Sequence, residues 1–210
     1  MTNDTAPSRT AGGLPLRLPE GEVVLWQGRP DPWALAREAF GVKWVAVYFV
    51  AVSVWRVGTL VDLMPFWAAL SAAIPFVLLG LAGGAILVVL AVLQARATTY
   101  TLTSARVVMQ IGAALTLTLN LPHKDIESAD FDRRRATGTI ALRLKPGRAR
   151  LSYLVAWPHV RPWRFNPTQP ALRCIPDVGR VAALLAQAAA AQAPAAPETG
   201  APGTAPVAAE

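Results

Sequence analysis

At 210 residues, 53% of them hydrophobic and with a mean hydropathy of +0.37, the chain has the composition of a membrane protein with room for one soluble domain of about 100 residues. No large enzyme fits. The net charge of +7 makes nucleic acid conceivable, but a basic domain held at a bilayer has a simpler partner in anionic lipid, at about 1 kcal/mol per nearby Lys or Arg.

Residues 1–17 are polar and rich in Pro, Gly and Thr, and are expected to form a disordered arm. Residues 18–41 follow as a strand and a helical lead-in. The strand is predicted at Val23 to Gly28, between turn-forming Pro-Glu-Gly and Gly-Arg-Pro. Trp33, Ala36 and Phe40 have helical spacing, which suggests either an amphipathic segment lying on the membrane surface or the ordinary start of the first membrane helix.

Residues 42–95 read as a transmembrane hairpin. From Trp44 to Ala95 the only formal charges are Arg56 and Asp62, and Leu63 to Ala95 is uncharged throughout. The spans are placed at about 44–61 and 67–90, each near the ~20 residues that cross a bilayer core. Arg56 falls close enough to the far end of the first span to snorkel into the interface. Trp44, Tyr48, Trp55 and Trp67 lie near the ends, as an aromatic belt requires. Cations flank the hairpin on both sides, at Arg29, Arg37 and Lys43 before it and at Arg96 and Arg106 after it, so the positive-inside rule puts both termini in the cytoplasm. Gly80 and Gly84 form a GxxxG that lets another helix approach, either the chain's own first helix or a foreign one, including a second copy of the chain. The first forty residues lack a signal-peptide core, so the hairpin itself is expected to direct insertion.

Past the hairpin, residues 96–190 switch to a period of two. Leu115, Leu117, Leu119 and Leu121 alternate with Thr116, Thr118 and Asn120. Similar patterns at Tyr100 and Leu102, at Val107, Met109 and Ile111, at Ile140, Leu142 and Leu144, and at Leu151, Tyr153 and Val155, with Glu127 to Asp132 added, predict six strands, and Val23 to Gly28 makes a seventh. Turns are expected at Ser104-Ala105, Gly112-Ala113, Gly138 and Pro146-Gly147. Five prolines between Trp157 and Pro176 argue against a regular helix or a central strand there. A helix over 176–190, with Val178, Val181, Leu184 and Leu185 on one face, suits the plug of a small barrel. Residues 191–210 form an Ala/Pro tail with too few large apolar groups to fold.

The fold class is therefore α+β in a membrane protein: a two-helix hairpin with a cytoplasmic antiparallel barrel of about seven strands and a C-terminal helix. This arrangement resembles the pleckstrin-homology-like domains of bacteria that carry a membrane hairpin. The residues that carry the likeness are LPEGEVVLWQGRP before the hairpin and YTLTSARVVMQIGAALTLTLNLPHKDIES after it, with Tyr-x-Leu-Thr-x-x-Arg and Leu-Pro-x-x-x-Ile. A closer likeness, over Leu18 to about Gln187, adds GRPDPWALAREAFGVKWVAVYF, RLSYLVAWPHVRPWRF and QPALRCIPD, and is similar to the photosynthetic-complex assembly proteins of purple bacteria. The resemblance implies a non-enzymatic factor of the photosynthetic inner membrane that helps build the reaction centre and its light-harvesting complex. Its implied partners are reaction-centre subunits, the H polypeptide among them.

The residues on their own show no catalytic constellation, no metal cluster and no cofactor motif. His123 and His159 have no ligand partners at metal spacing, and Cys174 stands alone. Two segments are candidate contact sites. Trp157, His159, Arg161, Trp163 and Arg164 interleave aromatic and basic residues of the kind that dominate interfaces. Arg133, Arg134 and Arg135 form a basic turn that suits lipid phosphates, an acidic partner or plain solvation. A module binding anionic lipid headgroups is accordingly the alternative to an assembly factor.

Overall fold

The computed structural model describes residues 19, 21–112, 116–134, 137–146 and 151–192. The leading arm, nearly all of the Ala/Pro tail, Leu115, Arg135 and parts of the turns expected at 112–113 and 146–147 lie outside the described residues.

Strand β1 (Val24–Gly28) comes first. Helix α1 (Pro32–Glu38) starts where Asp31 accepts the Ala34 N–H at 2.6 Å and Pro32 takes a position that needs no donor. Gly41, left-handed at φ 66°, separates it from α2 (Val42–Leu60). The short α3 (Phe66–Ser71) then precedes α4 (Ile74–Ala97). Pro75 accounts for that break, since proline is tolerated only in the first turn of a helix. Thus the second apolar run is two helices, and α4 continues to Ala97, past the end of the span placed at about 67–90. Beyond residue 90 its buried residues are Ala91 and Ala95, and Ala95 packs with Ala34 and Leu35 of α1. In the lead-in, α1 buries Ala34, Leu35 and Ala36 against the protein and leaves Trp33 exposed.

The helices α2 and α4 pack on each other, and both are long and apolar enough to cross a membrane. Apolar side chains project outward around nearly their whole circumference, from Trp44 and Tyr48 through Leu78, Leu81 and Leu93. A helix apolar on every side is at home in a core or in lipid. Among the described residues no protein core surrounds α2 and α4.

Among the described residues the β-region has eight strands in two antiparallel sheets. The first sheet joins β1 to β2 (Thr99–Thr103), β3 (Arg106–Ile111) and β4 (Leu117–Pro122), in that order. The second contains β5 (Ile126–Arg134), β6 (Thr137–Leu144), β7 (Val160–Phe165) and β8 (Thr168–Pro176), ordered β5-β6-β8-β7. Leucines of β4 turn inward and its Thr118 and Asn120 outward, as the alternation predicts. Among the described residues no ladder joins the two sheets, so the expected closed barrel is corrected to an open pair. A 3-10 turn at His123–Asp125 leads the chain out of one ladder and into the other, which leaves β4 and β5 unpaired with each other.

Two further expectations change. Leu151, Tyr153 and Val155 do not make a strand, because Tyr153–Ala156 is one helical turn, α5, closed by the Ala156 N–H to the Ser152 carbonyl at 3.2 Å. The proline-rich stretch instead supplies β7 and β8, and β8 is a central strand. Its prolines are placed where they cost little: Pro170 and Pro176 near the two ends of β8, Pro162 on the edge strand, and Pro167 in the turn between the two strands.

Helix α6 (Val178–Ala191) covers the core. Val178, Val181 and Leu185 meet Tyr100, Leu102, Val107, Met109 and Leu121 of the first sheet and Ile140, Leu142, Leu172 and Ile175 of the second. Leu184 packs at the margin, so the predicted face is the buried one.

Candidate functional site at the base of the hairpin

The chain leaves the first sheet at Gly28 and returns at Thr99, and Gly28 pairs with Tyr100. Everything between, both long helices included, is an excursion that begins and ends at one point of the fold. At that point α1, the end of α4, β8 and the segment around His159 converge.

A buried hydrogen-bonded chain holds the junction together. Its protons have one assignment that satisfies each partner. The Arg173 backbone N–H donates to Tyr100 Oη at 3.3 Å, and the Tyr100 hydroxyl donates to His159 Nδ1 at 2.5 Å. His159 Nε2–H then donates to Thr98 Oγ1 at 3.1 Å, and the Thr98 hydroxyl donates to the Gln94 carbonyl at 2.8 Å. The last acceptor is a carbonyl in the final turn of α4, a class of group that lacks a partner within its own helix. Burial, helped by the Arg173 guanidinium, pushes the His159 imidazole down to about 3, so it stays neutral as this assignment requires. Burial also raises the Tyr100 phenol, which keeps its proton.

The Arg173 guanidinium extends the junction, donating to the Pro158 carbonyl at 3.2 Å and to the Glu38 carbonyl at 3.3 Å. Asp31 N–H reaches the Cys174 carbonyl at 2.7 Å, which ties the start of α1 to β8. Cys174 itself is buried beside Glu38, and both burial and that carboxylate push its thiol up to about 12. A thiol held protonated in this way is a packing group, not a nucleophile.

The candidate contact residues therefore divide. His159, with no exposed surface, is corrected from a partner-facing residue to the centre of the junction. Trp157 is partly covered by Phe40, with ring centroids 5.0 Å apart. Arg161 is committed to Asp130 at 2.7 Å and to Gln169 at 3.2 Å. Trp163, at φ 61°, is 85% exposed, and Arg164 is exposed beside it on the edge strand. Of the basic turn, Arg133 is exposed, Arg134 ends β5, and Arg135 lies outside the described residues. Gly80 faces the chain's own α2, since a Cβ there would sit 2.7 Å from Phe49 Cβ, whereas Gly84 meets nothing within 4 Å.

An open groove of about 1340 Å³ runs between this base and the outer face of the second sheet. Its aromatic lining is Trp33, Trp44, Phe131 and Trp163. Its cations, Arg37, Lys43, Arg161 and Arg173, are matched by Asp31, Glu38, Asp130 and Asp132, so it is not built to concentrate anions. Among the described residues no group of three His, Cys, Asp or Glu side chains is placed to hold a metal.

The bacterial PH domain family matches residues 41–189, from the start of α2 into α6. The chain belongs to that family. It is also 45% identical over 203 residues to an uncharacterised 23.7 kDa protein of Rhodobacter capsulatus named for the region 5′ of puhA, a match that covers 90% of this chain and 92% of that one. No solved structure matches the chain significantly. The family match starts after β1 and α1, although β1 completes the first sheet and α1 seats the hairpin. Sequence reasoning missed Thr98 and Tyr100 as a site, and the available signal was the Tyr-x-Leu-Thr-x-x-Arg motif that opens on Tyr100.

Proposed function

We propose that this chain is a non-enzymatic assembly factor of the PuhB kind, anchored by α2 and α4 in the photosynthetic inner membrane of a purple bacterium with both termini in the cytoplasm. It would act on the reaction centre and its light-harvesting complex by binding a reaction-centre subunit. The observation that carries the reading is the near-full-length relative from Rhodobacter capsulatus, whose name sets it beside puhA. We take that neighbourhood as the reason to rank the H polypeptide of the reaction centre first among the partners. The exposed Trp163 and Arg164, on an edge strand beside the hairpin base, suit a protein partner: they offer area and directional donors, and shared tethering in one membrane lets a weak contact suffice.

The anionic-lipid reading has less support. Arg161 is already paired, and the groove at the base is balanced in charge. Deleting the gene should lower assembled reaction centre while pigment synthesis continues. Unchanged complex levels would refute the reading. At residue level, Trp163→Ala with Arg164→Ala should reduce co-purification of the reaction-centre polypeptide several-fold in mild detergent. Retention at wild-type yield would move the contact elsewhere, with the open Gly84 side of α4 the next candidate.

A further inference from the structure

The four-residue helix α5 exposes two large aliphatic side chains, Leu154 at 85% and Val155 at 64%, although its other end is firmly packed. Ala156 is fully buried with Ile111 and Val160, and Tyr153 packs at the margin of the same cluster. No charge falls between Leu151 and Trp157.

Three observations fix the level of α5 relative to the hairpin. Ile111 pairs with Leu117 at the end of the first sheet that also holds Thr99, the residue with which β2 starts just past α4. His159 is hydrogen-bonded to Thr98 at that same junction. The Trp157 ring, one residue after α5, lies against Phe40, two residues before α2 begins. Phe40 is two residues before Val42, at most about 7 Å at the full reach of an extended chain, and the headgroup layer on each side of a bilayer core is roughly 5 to 7 Å thick. A bilayer that receives α2 and α4 thus brings its interfacial layer to α5.

We propose that α5 is a second membrane contact, in which Leu154 and Val155 enter the interfacial layer beside the hairpin base, flanked by Tyr153 and Trp157 at headgroup level. The occupant is lipid because the patch is continuous with the lipid-exposed base and is uncharged, apolar and aromatic, the composition that interfacial segments use. Its consequence is geometric. Two points of attachment remove the freedom of the β-region to swing about the hairpin and fix which edge it turns to neighbouring membrane proteins. The inference rests on α2 and α4 crossing a membrane.

The test uses the full chain, one copy per nanodisc of phosphatidylcholine with phosphatidylglycerol, labelled with a fluorophore at Leu154→Cys or at Val155→Cys. Native Cys174 is buried, so the unsubstituted protein should take up no label. Leu81→Cys on α4 is the hydrocarbon reference. Lys124→Cys is the water reference, because the 3-10 turn that carries it is bonded to the far β2–β3 turn through His123 N–H and the Ala105 carbonyl at 3.1 Å. Quenching by lipids brominated near the headgroup should be at least as strong at Leu154 and Val155 as at Leu81, which lipids brominated along the acyl chain should quench strongly, and no lipid should quench Lys124. Quenching at Leu81 with none at either α5 site overturns the second contact alone. If Leu81 is not quenched either, the membrane reading falls with it.

Discussion

His159 should make the protein lose stability in mild acid, and replacing it with glutamine should remove that loss. The imidazole is buried and neutral, accepting at Nδ1 and donating at Nε2, and its folded pKa of about 3 lies far below the ordinary 6.5. An unfolded chain takes up a proton there below about pH 6.5, while the folded chain refuses it until about pH 3. The unfolded state binds more protons throughout that window, so stability is full above pH 6.5 and falls as the pH drops towards 3. The slope is about 1.4 kcal/mol per pH unit, which gives roughly 2.7 kcal/mol by about pH 4.5. His159→Gln keeps one acceptor and one donor but does not titrate. The assay is urea unfolding in detergent, followed by tryptophan emission at several pH values. On going from about pH 7.5 to about pH 4.5 the native chain should lose about 2 to 3 kcal/mol more than His159→Gln, whose remaining slope reports the carboxylates they share. Parallel slopes for the two proteins would refute both the neutral imidazole and the proton assignment of the junction.

Other outcomes follow from the same contacts. Tyr100→Phe leaves the Arg173 N–H and His159 Nδ1 without their common partner and should cost about 2 to 4 kcal/mol in that unfolding assay at neutral pH. Gly80→Leu should separate α2 from α4, because the space is already taken by Phe49, and lower thermal stability by about 1 to 3 kcal/mol, whereas Gly84→Leu should leave it unchanged. Arg106→Ala leaves the Glu22 carboxylate with Thr103 Oγ1 alone as its donor, and should cost about 1 to 2 kcal/mol and speed hydrogen exchange across β1.

What the sequence revealed, and what it hid, follows from the range of the interactions involved. The hairpin helices and β2 to β6 are local patterns, and the alternation of Leu117, Leu119 and Leu121 needs no knowledge of the partner strand. The resemblance motifs have separate physical reasons. In Tyr-x-Leu-Thr-x-x-Arg, Tyr100 joins the junction and Leu102 the core. Thr103 Oγ1 accepts the Arg106 N–H at 3.0 Å to close the turn, and Arg106 reaches back to Glu22. In Leu-Pro-x-x-x-Ile, Leu121 is core, Pro122 stands at the start of the 3-10 turn, and Ile126 opens the second sheet. What stayed hidden was the role of the proline-rich stretch, because proline counts argue against central strands on average, while the cost depends on which N–H groups the ladder needs. The burial of His159 was hidden too. It is set by Thr98 and Tyr100, which lie about sixty residues away in sequence.

The architecture also constrains topology independently of charge. Because Gly28 and Tyr100 are paired neighbours in the first sheet, the chain between them must leave and re-enter on the same side of any membrane it crosses. An even number of crossings follows, and α2 and α4 are two helices long and apolar enough to make them. One crossing would put β1 and β2 on opposite faces and abolish their ladder. Strand pairing thus sets the parity of any crossings, and in the proposed topology the flanking cations select the side. Deleting 66–97 alone should therefore expose β2 as a free edge and cost the first sheet β1, which faster hydrogen exchange at the β2 amides that face β1, with those facing β3 unchanged, would detect. If the amides that face β1 stay protected, β1 does not owe its place to the paired crossings.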